Sequence, residues 1–364
     1  MIIQIVPQLP PAINGVGDYA LALARQLRQD FGVTTLFVVA DPNWTGEVII
    51  EDFPIKKVAK HSAQALNSVL SELASSSTCV LLHYVGYGYA KRGCPVWLVN
   101  GLYQWQQRVV KTTLVTMFHE VHATHYPIWS SAFWTEPLQK YLIARILHLS
   151  DRTITNKPGY AGVLRKLSPR KKLQIPILPV FSSVGEPNKL LPLIERKPRL
   201  VVFGQSGNRL KVYEQSISAL KRVCQELGIQ EIIDIGSPIN LSISEVDDIP
   251  IIMLGKQPAQ QISNILQDSW VGFFSYPLDF LTRSTIFAAY CSHGVIPVGI
   301  NSYAWSPEDN GLEEKKHYWL ADNQTKQLSV ALGEVIANNA YNWYQSHNLT
   351  IQAKYFASFF AENF

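Results

Sequence analysis

Short runs of apolar, often β-branched residues alternate along the chain with segments whose apolar positions recur every three or four residues. The runs at 2–6, 34–40, 78–84, 113–118 and 152–155 read as strands. Between the second and third of them, Leu66, Val69, Leu70 and Leu73 stand at i, i+3, i+4 and i+7, the spacing of a helix with one buried stripe. Strand, helix, strand in this order predicts βαβ units and a parallel sheet. Pro176, Pro179, Pro187, Pro192 and Pro198 then remove one amide donor after another, which excludes a regular helix or a central strand there. The alternation restarts beyond them, with strands at 200–203, 232–235, 251–254, 271–274 and 295–298 and helices at 212–227 and 259–267. The pattern thus predicts an α/β domain over 1–180, a linker over 181–199 and a second α/β domain over 200–340. The tail 341–364 carries Trp343, Tyr344, Tyr355, Phe356, Phe359 and Phe360, too many aromatics for a solvated helix, so it is expected to pack back on the first domain.

A length of 364 residues agrees with two domains, since single cores stop growing near about 250 residues. Hydrophobic residues make up 47% of the chain and charged ones 16%, a balance that leaves no room for long disordered tails. The net charge of +4 favours anionic ligands or lipid surfaces and makes no case for nucleic acid. Cys79, Cys94, Cys224 and Cys291 form no CxxC pair, which argues against a structural zinc site or a secreted disulfide framework and for a reducing cytoplasm. The apolar opening stops at Pro7, too early for a signal peptide, and no run reaches the ~18 apolar residues of a membrane span. Membrane contact is then expected to be peripheral. The basic stretch Arg165, Lys166, Arg170, Lys171 and Lys172 reads either as a contact for anionic lipid or as a solvated face.

Candidate chemistry begins after the first strand, where Asn14-Gly15-Val16-Gly17-Asp18-Tyr19-Ala20 opens a helix. Gly15 and Gly17 allow close backbone approach, and a helix N-terminus favours phosphate oxygens, so a diphosphate is a fitting guest. Gly15-x-Gly17-x-x-Ala20 also satisfies a dinucleotide fingerprint with Asp41 as its ribose acid, although a longer insertion separates it from the strand than that fingerprint has. Phe118-His119-Glu120-Val121-His122 lies at the carboxyl end of its strand, where α/β proteins bind ligands. Its histidines lack the spacing of a helical zinc pair, and no metal is expected. His122 and His125 read more readily as histidines satisfied within the fold. His83 to Tyr89 puts Tyr84 and Tyr87 on glycine hinges, suited to stacking on a sugar acceptor.

Together with Phe203-Gly204, Leu254-Gly255-Lys256 and Tyr276-Pro277 through Gly294-Val295-Ile296-Pro297-Val298, these segments make the chain resemble the retaining glycosyltransferases of the GT-B fold, specifically their large family 4, over nearly its whole length. The resemblance implies two facing Rossmann-like domains with parallel sheets and a C-terminal helix crossing back to the first. It implies a nucleotide diphosphate sugar as donor, a UDP-sugar by family frequency and UDP-glucose first, a carbohydrate or lipid-linked acceptor, and no cofactor. His119 resembles a residue that touches the donor sugar. Arg209 and Lys211 are the cations expected to neutralise the leaving diphosphate, because Gln205 stands where the family commonly has arginine. Lys256 and Gln257 resemble the turn that meets the nucleobase, and Asp18 falls with Tyr84 and Tyr87 on the acceptor side. Leu281 and Ala289 occupy the positions of the family's usual glutamate pair, and neither accepts a hydrogen bond from a hydroxyl. Thr282, Arg283, Ser284 and Thr285 remain ahead of a helix at 286–293, a start suited to phosphate. The missing glutamates leave open a GT-B protein that binds nucleotide or sugar without turnover, and the fingerprint leaves open an NAD-dependent enzyme.

Overall fold

In the computed structural model, which describes residues 1–12, 14–73, 78–109, 111–122, 129–169, 174–300, 310–321 and 327–361, the chain divides into two units: Met1–Pro179 with Leu349–Phe364, and Val180–Asn348. The strands of the first are β1 (Ile2–Val6), β2 (Thr35–Val39), β3 (Ile49–Ile50), β4 (Phe53–Lys57), β5 (Thr78–Tyr84), β6 (Thr112–Phe118) and β7 (Arg152–Thr155). They form one sheet in the order β3-β4-β2-β1-β5-β6-β7, parallel except where β3 pairs antiparallel with β4. Its helices are α1 (Gly15–Phe31), α2 (Ala63–Glu72), α3 (Gly86–Tyr89), α4 (Val96–Gln106), α5 (Ser131–Leu149) and α6 (Pro158–Leu167). Both faces of the sheet are covered, so β1 and β2 are buried at every position.

The second unit holds β8 (Lys197–Phe203), β9 (Glu231–Ile235), β10 (Glu245–Val246), β11 (Ile249–Gly255), β12 (Ser269–Ser275), β13 (Ile296–Ile300) and β14 (Trp319–Leu320). Their order, β10-β11-β9-β8-β12-β13-β14, repeats that of the first sheet strand for strand. Its helices are α7 (Ser206–Gln215), α8 (Ile217–Leu227), α9 (Ala259–Gln267), α10 (Thr285–Ser292) and α11 (Val330–Gln345). The proline-rich stretch from 180 to 198 groups with this unit. Where the periodicity predicts one helix over 212–227 there are two, α7 and α8, broken at Ser216, whose hydroxyl donates to the Lys211 carbonyl at 3.1 Å. The aromatic tail is likewise split. After α11 the chain turns, and α12 (Leu349–Ala361) lies on α1 of the first unit, where Tyr19 Oη donates to Gln352 Oε1 at 2.6 Å.

In each sheet the chain runs outward in one direction from a central strand and then in the other. The order therefore reverses between β1 and β5 and between β8 and β12. Crevices open at the carboxyl ends of strands at such reversals, and ligands of open α/β sheets bind there. Gly17 shows how tightly the first of these is built. A Cβ placed on it would lie 2.2 Å from the Gln8 carbonyl oxygen. Because the obstacle is backbone, Gly17→Ala is expected to destabilise the protein by about 1–3 kcal/mol, read as a lower midpoint in urea unfolding.

Candidate functional site

At the reversal in the first sheet, two strands each contribute a buried polar side chain. Gln4, in β1, and His83, in β5, are both fully buried. His83 Nε2 lies 2.7 Å from Gln4 Oε1, and Gln4 Nε2 donates to Thr35 Oγ1 at 3.4 Å. With the Gln4 amide assigned by this network, His83 carries its proton on Nε2 and accepts at Nδ1. The donor to Nδ1 is Nε2 of His119, 3.1 Å away at the end of β6. The His119 tautomer thus follows from Gln4, three strands of sheet acting in series. Burial, with the neighbouring His119 second, holds the His83 pKa well below its ordinary value, so His83 stays a neutral acceptor. The two rings stack at 5.4 Å between centroids, and Tyr19 of α1 meets His119 edge-on at 4.9 Å. Tyr19 is itself clamped to Gln352, whose amide donates to the Pro179 carbonyl at 2.6 Å. The result is a histidine with 5% exposure whose ring is fixed by groups from both ends of the chain.

At the reversal in the second sheet, a small recess of about 20 Å³, open to solvent, is lined by Phe203, Asn208, Arg209, Ser275, Tyr276 and Ser284. These residues come from the carboxyl ends of β8 and β12, from α7 and from the start of α10. Ser284 caps α10, its hydroxyl accepting from the Phe287 amide at 3.1 Å. Beneath the recess Arg209 is 1% exposed and fully engaged. Its Nε and Nη2 donate to the Asp234 carboxylate at 3.1 and 2.5 Å, and Nη1 donates to the Ser237 carbonyl at 2.8 Å. Tyr213 Oη donates to the same carboxylate at 3.0 Å. Lys211, half-buried two residues further along α7, does not line the recess and forms no ion pair with the described residues.

No protein-family model and no curated protein matches the chain. Solved structures do match over nearly its whole length. Sucrose-phosphate synthase from Thermosynechococcus elongatus superimposes with a TM-score of 0.64 at 14% identity, over 99% of this chain and 98% of its own. A glycosyltransferase from Rickettsia africae gives 0.62 at 11% identity over 99% and 97%. An alpha-glucosyltransferase in complex with UDP-glucose and DNA gives 0.58 at 11% identity over 95% of each chain. This chain has the GT-B fold.

Within this GT-B protein the site residues expected from sequence fall into two groups. His119 and Ser284 lie at the sheet reversals, His119 in the first unit and Ser284 in the second. Thr285 begins α10 beside Ser284, and Arg283 lies half-buried with its guanidinium 5.2 Å from the Phe280 ring centroid. Several others must be corrected. Arg209 is no clamp for a diphosphate, because its charge is neutralised by Asp234 inside the unit. Gly17 offers no free amide: the Asn14 side chain accepts from Val16 N at 3.1 Å and from Gly17 N at 3.0 Å. Gly15, beside it, is exposed with open space around it. Tyr84 forms no acceptor wall, being 1% exposed and packed on Tyr89 and Phe118. Tyr87 and Asp18 are exposed. Thr282 is 1% exposed, its hydroxyl buried without a hydrogen-bond partner among the described residues. Gln257 turns its amide back on the Leu254 carbonyl at 2.5 Å, and Lys256 follows the end of β11, a strand separated from β8 by β9.

Leu281 and Ala289, at the positions of the family's glutamates, are both buried. His122 lies 3.4 Å from Glu136, an ordinary partner within the fold. His125 and the basic residues Arg170, Lys171 and Lys172 lie outside the described residues. Among the described residues no group of three His, Cys, Asp or Glu side chains is placed to hold a metal ion. The sequence reading gave no role to His83, Gln4, Tyr19 or Gln352. The buried glutamine inside the apolar run of β1 was the available signal, since such a side chain needs a partner.

Proposed function

We propose that the chain transfers a sugar from a nucleotide diphosphate donor, with the nucleotide diphosphate taken by the second unit. The recess at the reversal of the second sheet carries this reading, because it joins the capped start of α10 to polar groups from β8, β12 and α7. A helix start and a cation are suited to a departing diphosphate, and Lys211, on the same helix as Arg209, is the cation left once Arg209 is taken by Asp234. UDP-glucose is the donor favoured, in keeping with the UDP-glucose held by one structure of the same fold. His119 positions the sugar, and configuration at the anomeric carbon is retained, without a metal. The acceptor is a carbohydrate or a lipid-linked sugar, met by Tyr87 and Asp18, and the unpaired state of the four cysteines suits a reducing compartment.

The expected result for Lys211→Met is an unchanged melting temperature with UDP affinity lowered about tenfold at low salt, measured by calorimetry, since a charge-assisted bond to phosphate is worth about 1.5–3 kcal/mol. Equal affinity in the variant would remove Lys211 from the site. Binding of NAD in preference to any nucleoside diphosphate would overturn the reading as a whole.

A further inference from the structure

The outward face of α5 does not look like the surface of a solvated helix. Leu142, Ile143, Ile146 and Leu147 are buried on one side, as a core helix requires. On the other side, where charged residues normally stand, the chain exposes Phe133, Trp134, Leu138 and Tyr141. Trp129, immediately before the cap residue Ser130, is 84% exposed, and Trp134 is 73% exposed. Neighbouring α4 extends the surface with Val96 and Tyr103. Its join to α5 is fixed by Arg145, which donates to Asn100 Oδ1 at 2.8 Å and lies 5.7 Å from the Tyr103 ring centroid. Apolar surface so concentrated, with Trp and Tyr rings that combine an apolar body and a polar tip, marks an interaction site.

The charges around it select the partner. Lys91 and Arg92 are exposed in the turn whose Arg92 carbonyl accepts from Gln139 of α5 at 2.7 Å, Arg108 and Lys111 are exposed just beyond α4, and Lys140 and Arg145 lie on α5 itself with Glu136. Glu136 is already paired with Lys140 at 3.0 Å. A hollow between Tyr103, Tyr141, Ala144, Arg145 and His148 places basic and phenolic side chains together at the same surface. A second copy of the chain would bring this positive frame against itself, because a two-fold interface pairs a patch with the same patch. An anionic lipid surface meets both features: aromatic rings enter the headgroup layer while Lys and Arg reach the phosphates.

We infer that the α4–α5 face, led by Trp129 and Trp134, docks the protein on an anionic bilayer. The inference does not depend on the sugar-transfer reading. Nor does it depend on the basic stretch from Arg165, which lies in and beyond α6. The test is co-sedimentation of the full chain with vesicles of phosphatidylcholine alone and of phosphatidylcholine with phosphatidylglycerol. The expected result is binding to the anionic vesicles only, with a blue shift of tryptophan emission. Trp129→Ser with Trp134→Ser should lower that binding at least about tenfold at an unchanged melting temperature. Lys91→Glu with Arg108→Glu should lower it by a similar factor and flatten its salt dependence. Arg165→Glu with Lys166→Glu should leave it unchanged. A wild-type chain that stays in the supernatant with both vesicles would overturn the inference. So would binding that survives the tryptophan pair, or a dimer in sedimentation velocity that the tryptophan pair dissociates.

Discussion

Replacing His119 with alanine is expected to lower donor turnover at least about a hundredfold while leaving UDP affinity unchanged. The separation follows from where the groups sit. His119 belongs to the first unit, and the recess assigned to the nucleotide diphosphate belongs to the second. A histidine held on one nitrogen by His83 and crossed by Tyr19 has a fixed ring plane and a fixed tautomer. Such pre-organisation is useful for steering a sugar and has no bearing on a nucleotide bound elsewhere. Turnover measured as UDP release, beside UDP calorimetry, reads the two effects apart. His83→Leu should lower turnover by a smaller factor at the same UDP affinity, because it frees the His119 ring without removing it. Loss of UDP binding in His119→Ala would place the residue with the nucleotide instead.

Asp234→Ala is expected to cost about 3–5 kcal/mol of stability, the penalty for leaving a buried guanidinium without its carboxylate. Arg209 is 1% exposed, and both Nε and Nη2 spend their protons on Asp234. The packing on its Nη1 side is also tight: a Cβ on Gly236 would lie 2.1 Å from Arg209 Nη1. Urea unfolding at neutral pH checks the magnitude. The joint change of Arg209 and Asp234 to leucine should recover much of the loss, since buried ion pairs are often replaceable by well-packed apolar groups. If Arg209 were instead a cation waiting for diphosphate, Arg209→Ala would keep its stability and lose UDP affinity.

These two residues show how far the sequence could be read. The strand alternation was legible because parallel strands buried on both faces are largely apolar runs, and 2–6 and 78–84 are β1 and β5 as they stand, while 152–155, β7, was legible from its β-branched residues. The other three edge strands were not. β3, β10 and β14 are each two residues long, too short to carry a period. α5 was missed because it is apolar on both faces and carries Pro137, so no stripe marks it. His119 was legible because a strand end announces its place. Its partners were not, since Gln4, His83 and Gln352 are brought together only by the sheet order and by the return of α12 to α1. Arg209 was misjudged for the same reason: a cation after a glycine turn looks available until the fold sets Asp234 of β9 beneath it.

The most direct test of sugar transfer is hydrolysis of UDP-glucose, GDP-mannose and an ADP-sugar by the purified chain without added metal, each paired with calorimetry of the corresponding nucleoside diphosphate. The account predicts that one nucleoside diphosphate, UDP first, binds and that its sugar donor is slowly hydrolysed by the wild type and not by His119→Ala. Tight binding with no turnover of any donor, even when carbohydrate and lipid-linked acceptors are supplied, would contradict it and leave a nucleotide-binding protein that uses the GT-B fold without its chemistry.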